Sequence, residues 1–327
     1  MAMPANQTQA GPPYLPQVWS LGGVAKDTPD LAASGAFLGL FILGAAAHML
    51  IHRANKKKGK RFGISHFIFG FCCARISTLV LRILVVKNPT SVGTAIAAQV
   101  LILSGVLLLF IVNLIFARRI IRAQHPRLGW HRTVSAGFIA LFVLIGATLA
   151  ATVAVTVLMF YTLNPDTRRA ARGVQLYAAT FLAVVATLPM LMMLLGVVLP
   201  RRTRVDKFGE GRFRTKVLVV LSASMLLSFG AWYRALTSYI DPVPRSEPLP
   251  GYFGKAPFYI VIFGVEIVVV WLYFFLRIDK RFRTPDGAKG PGSYAAGQGL
   301  TPPKPGSDII YTELGSVEDQ YHRRGAF

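Results

Sequence analysis

The chain has 327 residues, 53% of them hydrophobic and only 15% charged, with a mean hydropathy of +0.49. Soluble domains carry about 25% charged residues, so the two-domain soluble enzyme usually expected at this length is disfavoured. The net charge is +22, which fits either a nucleic-acid binder or a membrane protein obeying the positive-inside rule, and the placement of the charges decides between them. The two cysteines, Cys72 and Cys73, are adjacent inside an apolar run, which excludes a disulfide framework and a multi-cysteine zinc site.

Residues 1–30 are polar, proline-rich and almost uncharged. They lack the basic stretch of a cleavable signal peptide, so the first apolar run is read as a retained anchor and 1–30 as an extracellular amino terminus. Asn6-Gln7-Thr8 is a glycosylation sequon on that side. A membrane-crossing helix needs about 20 mainly apolar residues, and seven runs qualify: 31–51, 64–86, 93–116, 134–163, 173–199, 217–240 and 258–278. Pro189 lies inside the fifth, where a kink is the ordinary consequence. The fold class is therefore all-α, a polytopic membrane protein whose seven-transmembrane-helix bundle occupies 31–283. Residues 284–327, rich in Gly and Pro, read as a disordered cytoplasmic tail. Within it Tyr311-Thr312-Glu313-Leu314 has the form of a tyrosine-based sorting signal.

Of the 36 basic residues, 26 fall in segments 52–61, 117–133, 200–216 and 277–327, seven fall in the alternate loops, and Arg75, Arg82 and Arg234 lie inside runs. This alternation places the amino terminus outside and the carboxyl terminus in the cytoplasm. It also explains the basic excess without nucleic acid. The basic inner loops are suited to an anionic leaflet or to an acidic cytoplasmic signalling partner.

A charge at mid-membrane costs on the order of 3 kcal/mol on insertion scales, so each polar residue in a run needs a reason. Glu266 is the one carboxylate inside any of the seven runs. At about 1.5 Å per residue it lies ~12 Å from the outer end, Arg234 and Gln99 ~9 Å, Arg82 ~6 Å and Arg75 ~17 Å. Arg75, Arg82, Gln99, Arg234 and Glu266 thus form a polar layer in the outer half. One reading is structural: Glu266 pairs with Arg234 or Arg75, and Arg82 snorkels to the outer interface. A second counts three guanidiniums against one carboxylate and assigns the excess of two to an anionic ligand, a lipid headgroup or a fatty-acid carboxylate, and a third gives Glu266 a proton-coupled role.

Other chemistries lack their residues. His48, His52 and His66 cluster near one interface, but no Asp or Glu lies in the inner halves of the runs, so no metal site is assigned. None of the seven runs contains lysine, which removes a retinal Schiff base. The third run ends in Phe116-Ala117-Arg118-Arg119 rather than in the acidic-Arg-aromatic triplet of rhodopsin-like receptors, and the seventh lacks their Asn-Pro pair. No cofactor and no catalytic residue is expected.

Several stretches carry a resemblance: GFCCAR at 70–75 with Arg82 behind it, IAAQ at 96–99, FIVNLIFARR at 110–119, HPRLGWH at 125–131, VQLYAATF at 174–181, KFGEGRFRTK at 207–216, Glu266, RIDKRF at 277–282 and KGPG at 289–292. Over about residues 60–292 the chain resembles a fungal family of seven-span membrane proteins of unknown function. These are often labelled receptor-like or likened to family C G-protein-coupled receptors. A more distant likeness, in topology, is to fungal seven-span lipid-translocating exporters. The resemblance implies a receptor-like signalling protein of the plasma membrane or an endomembrane. The alternatives are transport of a lipid or other amphipathic anion, and a structural membrane protein.

Overall fold

In the computed structural model the described residues are 11–60, 62–200 and 203–297. The Asn6 sequon and the Tyr311 motif lie outside them. Seven helices are long and apolar enough to cross a membrane: Asp27–Lys57, Ile64–Lys87, Val92–Gln124, Arg132–Tyr161, Pro165–Val198, Phe213–Tyr239 and Gly251–Phe275. They are called spans one to seven below. Among the described residues there is no β-strand, only an isolated bridge between Val18 and Pro244. Helices are what such runs must form, because hydrocarbon offers no partner to an unpaired backbone group.

The spans overrun the apolar runs at their ends. Span five begins at Pro165, eight residues before its run, because Asn164 Oδ1 accepts from the Asp166 and Thr167 amides at 2.9 and 3.4 Å and Pro165 fills the first helical position. Span three continues to Gln124 through Arg118, Arg119 and Arg122. It is the most buried of the seven, and it touches spans two, four, five and six. Span seven packs between spans one and six.

Two spans are irregular at mid-length. Span three breaks at Gly105-Val106, between helices Val92–Ser104 and Leu107–Gln124. Span seven passes through a wide π-helical segment over Phe258–Gly264 before the regular helix Val265–Phe275. Such π segments are frequent at functional positions.

Both ends of the bundle are covered. At the amino-terminal face, residues 14–26 lie over the loop before span seven. Trp19 N donates to Val243 O at 2.9 Å, Arg245 N to Gln17 O at 2.9 Å and Gly22 N to Phe253 O at 2.9 Å. The stretch read as a featureless polar terminus is, from Tyr14 onward, a fitted cap. At the opposite, basic face, the 203–212 loop turns under span three, with Asp206 N donating to Ala123 O at 2.9 Å. Gly209 has φ +56, and a Cβ there would stand 2.1 Å from the Arg281 carbonyl oxygen, so only glycine fits. The tail expected to be disordered from 284 is folded through a short helix, Ser293–Ala296. Tyr294 and Ala295 are buried, and Asp206 accepts from their amides at 3.4 and 2.8 Å. Tyr294 sits edge-on to Trp130 and Phe208 at 5.6 and 5.4 Å. This aromatic anchoring offsets the Gly and Pro content that argued for disorder.

Candidate functional site

Arg75 of span two and Glu266 of span seven form a bidentate pair: Nε and Nη2 donate to the two carboxylate oxygens at 2.6 and 2.5 Å. Arg75 is wholly buried and Glu266 is 2% exposed, so neither charge is screened by bulk water. The guanidinium also lies 5.6 Å from the centroids of Phe71 and Phe263. Its third donor, Nη1, reaches the carbonyls of Leu101 and Ile102, both at 3.3 Å.

The break in span three makes that third contact possible. In an unbroken helix the Ile102 carbonyl would accept from the amide of Val106. With the helix interrupted at Gly105-Val106, it accepts from Arg75 and also from Arg234 Nη2 of span six, at 3.2 Å. Gly105 supplies the space: a Cβ there would lie 3.0 Å from Arg75 Cζ and Nη1. Broken backbone at membrane depth persists where protein groups re-satisfy it, and here two guanidiniums do so. Arg234 and Glu266 line a shared void of about 10 Å³ with Val106, Phe110, Gly230 and Val261. That is room for about one water and no larger guest.

Arg82 does not join this group, nor does it snorkel. Its Nη2 donates to Asp30 at 3.0 Å and to the Gly22 carbonyl at 2.9 Å, and its guanidinium lies 4.6 Å from the Phe258 ring centroid. Asp30 is wholly buried and is a hub. It also accepts from Lys255 Nζ at 2.5 Å, the Lys26 amide at 2.9 Å and the Tyr259 hydroxyl at 2.8 Å. The hydroxyls of Tyr259 and Ser34 are 2.8 Å apart. Asp30 escaped the sequence reading because it sits one residue before the first apolar run and was counted with the polar terminus. Its signal is positional: a carboxylate at the same end of the bundle as Arg82 and Lys255.

The single layer with two excess charges therefore becomes two clusters. In one, Arg75 pairs with Glu266 while Arg234 lines the same void and bonds to the Ile102 carbonyl; in the other, Arg82 and Lys255 both pair with Asp30, so each cluster has two cations to one carboxylate. Gln99 stands apart from both, half-buried in the first half of span three and making no side-chain hydrogen bond among the described residues.

From Glu266 a packed line continues toward the basic face. The Tyr273 hydroxyl donates to Asn113 Oδ1, Tyr273 meets Phe116 edge-on at 5.8 Å, and Phe116 stacks on Phe282 at 4.1 Å. The Phe282 carbonyl accepts from Arg119 at 2.5 Å. Just past span seven, Asp279 accepts from Arg277 Nε and Nη2 at 3.0 and 3.1 Å and from Asn55 Nδ2 at 3.0 Å. Burial alone would raise the Asp279 pKa, but the bonds from Arg277 and Asn55 outweigh it and hold the carboxyl below its ordinary value. Asp206 shows the opposite balance: burial outweighs its backbone bonds to Ala295, Tyr294 and Gly292 and pushes the carboxyl up.

The histidines are not gathered on one centre. His48 Nε2 lies 3.2 Å from the Val270 carbonyl, while the His52 and His66 rings are 5.2 Å apart. Lys216 lies just inside the observed span six, beyond its run. It is 2% exposed and lies near the basic end, its Nζ donating to Gly211 O at 3.3 Å. Comparison with known proteins returns no matching protein family, no matching curated protein and no matching solved structure.

Proposed function

We propose that the chain is a seven-span protein with its amino terminus outside and its carboxyl terminus in the cytoplasm, acting as a receptor-like signalling protein. The 26-to-7 division of basic residues supports the orientation, and the stretches given above support membership of the fungal receptor-like family. The observation that carries the signalling reading is the buried Arg75–Glu266 pair with Arg234 beside it. It joins spans two, three, six and seven where span three is broken and next to the π-helical segment of span seven. Such a layer has few alternative arrangements, so it suits a two-state element. On one side Phe258 carries the Arg82–Asp30 hub and the cap, and on the other Tyr273 leads to the basic loops.

The test is affinity purification of the full-length protein in mild detergent, as wild type and as Glu266→Gln. A receptor-like protein retains a stoichiometric cytoplasmic partner on its basic face, and the variant changes that partner's affinity severalfold. An unchanged affinity in a folded variant rejects the coupling. A second reading, transport of an amphipathic anion, is favoured by the large cleft described next. Uptake of a fluorescent fatty acid into proteoliposomes, with no partner retained, would select it.

A further inference from the structure

A cavity of about 1090 Å³ lies not at the polar layer but between spans one and seven at the basic face. It has two kinds of lining. Leu43, Ala46, Ala47 and Leu50 of span one face Trp271 and Phe274 of span seven and form an apolar slot. Its mouth carries Lys58, Lys60, Lys280 and Arg283, together with the Arg277–Asp279 pair and Glu210. Lys58, Lys60, Lys280 and Arg283 have no ion-pair partner among the described residues. Asp279 is already held by Arg277 and Asn55, so among the described residues four cations without an ion pair face one such carboxylate, Glu210. From Leu43 to Lys58 is fifteen helical residues, or ~22 Å. That length covers half of a ~30 Å hydrocarbon core and reaches into the headgroup zone.

We infer that this cleft is a binding site for one anionic phospholipid of the adjoining leaflet, its phosphate at the lysine-rich mouth and an acyl chain along Leu43–Leu50 and Trp271. The small residues Ala46 and Ala47 leave the volume that a larger side chain would fill, and the order of apolar slot and cationic rim matches the order of tail and headgroup. Neither part alone selects the ligand. A soluble anion has no use for the slot, and a neutral lipid gains nothing from the rim. The site stands apart from the two ion-paired clusters and holds whether the protein signals or transports. Thr284, Pro285 and Gly297 of the docked tail form part of the wall, so the occupant also touches the segment held by Asp206.

The experiment is quenching of tryptophan fluorescence in the full-length protein reconstituted with brominated phosphatidylserine or brominated phosphatidylcholine. Four cations at the mouth attract an anionic headgroup, partly screened by salt, so wild type is expected to prefer the anionic lipid by roughly tenfold. Trp271→Phe should remove the preferential component while leaving quenching from the other tryptophans. The four-fold variant Lys58→Gln, Lys60→Gln, Lys280→Gln, Arg283→Gln should bring the preference close to unity. Ala47→Trp, which leaves the charges in place and fills the slot, should abolish it too, and thermal unfolding identifies any variant that has lost its fold. Equal quenching by the two lipids in wild type overturns the site. So does a preference that survives in the folded four-fold variant.

Discussion

Glu266→Gln removes the charge of the buried pair while keeping its shape. If the contact were worth only its hydrogen bonds, the cost would be about 1 kcal/mol, because interhelical polar contacts in membranes average ~0.6 kcal/mol. The geometry requires more. Arg75 is wholly buried, held by two bonds of 2.5 and 2.6 Å, and shares its surroundings with Arg234. Stranding one member of such a pair costs about 3–5 kcal/mol. The Leu101 and Ile102 carbonyls remain as partners for Arg75, so the lower end, ~3 kcal/mol, is expected. Arg75→Gln should cost less, ~2 kcal/mol, since Glu266 keeps Arg234 in the same void. The double variant is neutral at the pair and should cost far less than the sum, giving a coupling energy of at least ~2 kcal/mol. Adding Arg234→Gln to Glu266→Gln should recover part of the loss by removing the second guanidinium. Unfolding can be followed through a thiol-reactive dye at Cys72, which is buried in the folded chain. A coupling between Arg75 and Glu266 below ~0.5 kcal/mol would refute the reasoning.

Gly105→Ala places a methyl 3.0 Å from the Arg75 guanidinium. It should destabilise by about 1–3 kcal/mol in the same unfolding assay, although alanine is the better helix former. Asp30→Asn leaves Arg82 and Lys255 without their shared carboxylate, so the cap over residues 14–26 should be cut by protease severalfold faster, while cleavage in the 203–212 loop stays at its wild-type rate. The Asp279 carboxyl is held below its ordinary value of 3.8. Its contribution is therefore fully present above about pH 4 and is lost as pH falls through the lower folded value. Asp279→Asn should flatten that acid limb of the stability curve.

The seven helices were legible because hydrocarbon length and hydrophobic runs are local properties. Their ends were less so, since helices continue into water when capped, as at Asn164, or when packed against protein, as where span three carries three arginines past Phe116. Residues Arg75, Arg234 and Glu266 were legible as costly groups in apolar runs. The helix break that brings the first two to one carbonyl was not, because a Ser104-Gly105 pair marks a place where a helix can kink but not which side chains take up the freed carbonyl. Both readings of Arg82, an interface anchor or a member of one ligand layer, rest on its depth alone. Asp30, its partner, comes from another span's end, and depth along one helix says nothing about such a neighbour. The docked tail was hidden for a similar reason. Composition at 284–297 favours disorder, and only the pocket formed by Trp130, Asp206 and Phe208 gives Tyr294 a place to bind.

The cap has a consequence for the order in which the protein is made. Asp30 enters the membrane region with the first span, yet Lys255 and Tyr259 are encoded more than 220 residues later. Until the seventh span is synthesised, its only charged partner among the hub residues is Arg82, which arrives with the second. The carboxylate is therefore tided over by one arginine through most of translation, and the amino-terminal segment has only the contacts of Gly22 with Arg82, Tyr14 with Phe160 and Gln17 with Arg168 until Val243, Arg245 and Phe253 have emerged. Closure of the cap therefore waits for the loop before the seventh span and for that span itself, so a chain truncated before Val243 keeps its first helices but leaves much of residues 14–26 open to quality-control proteases.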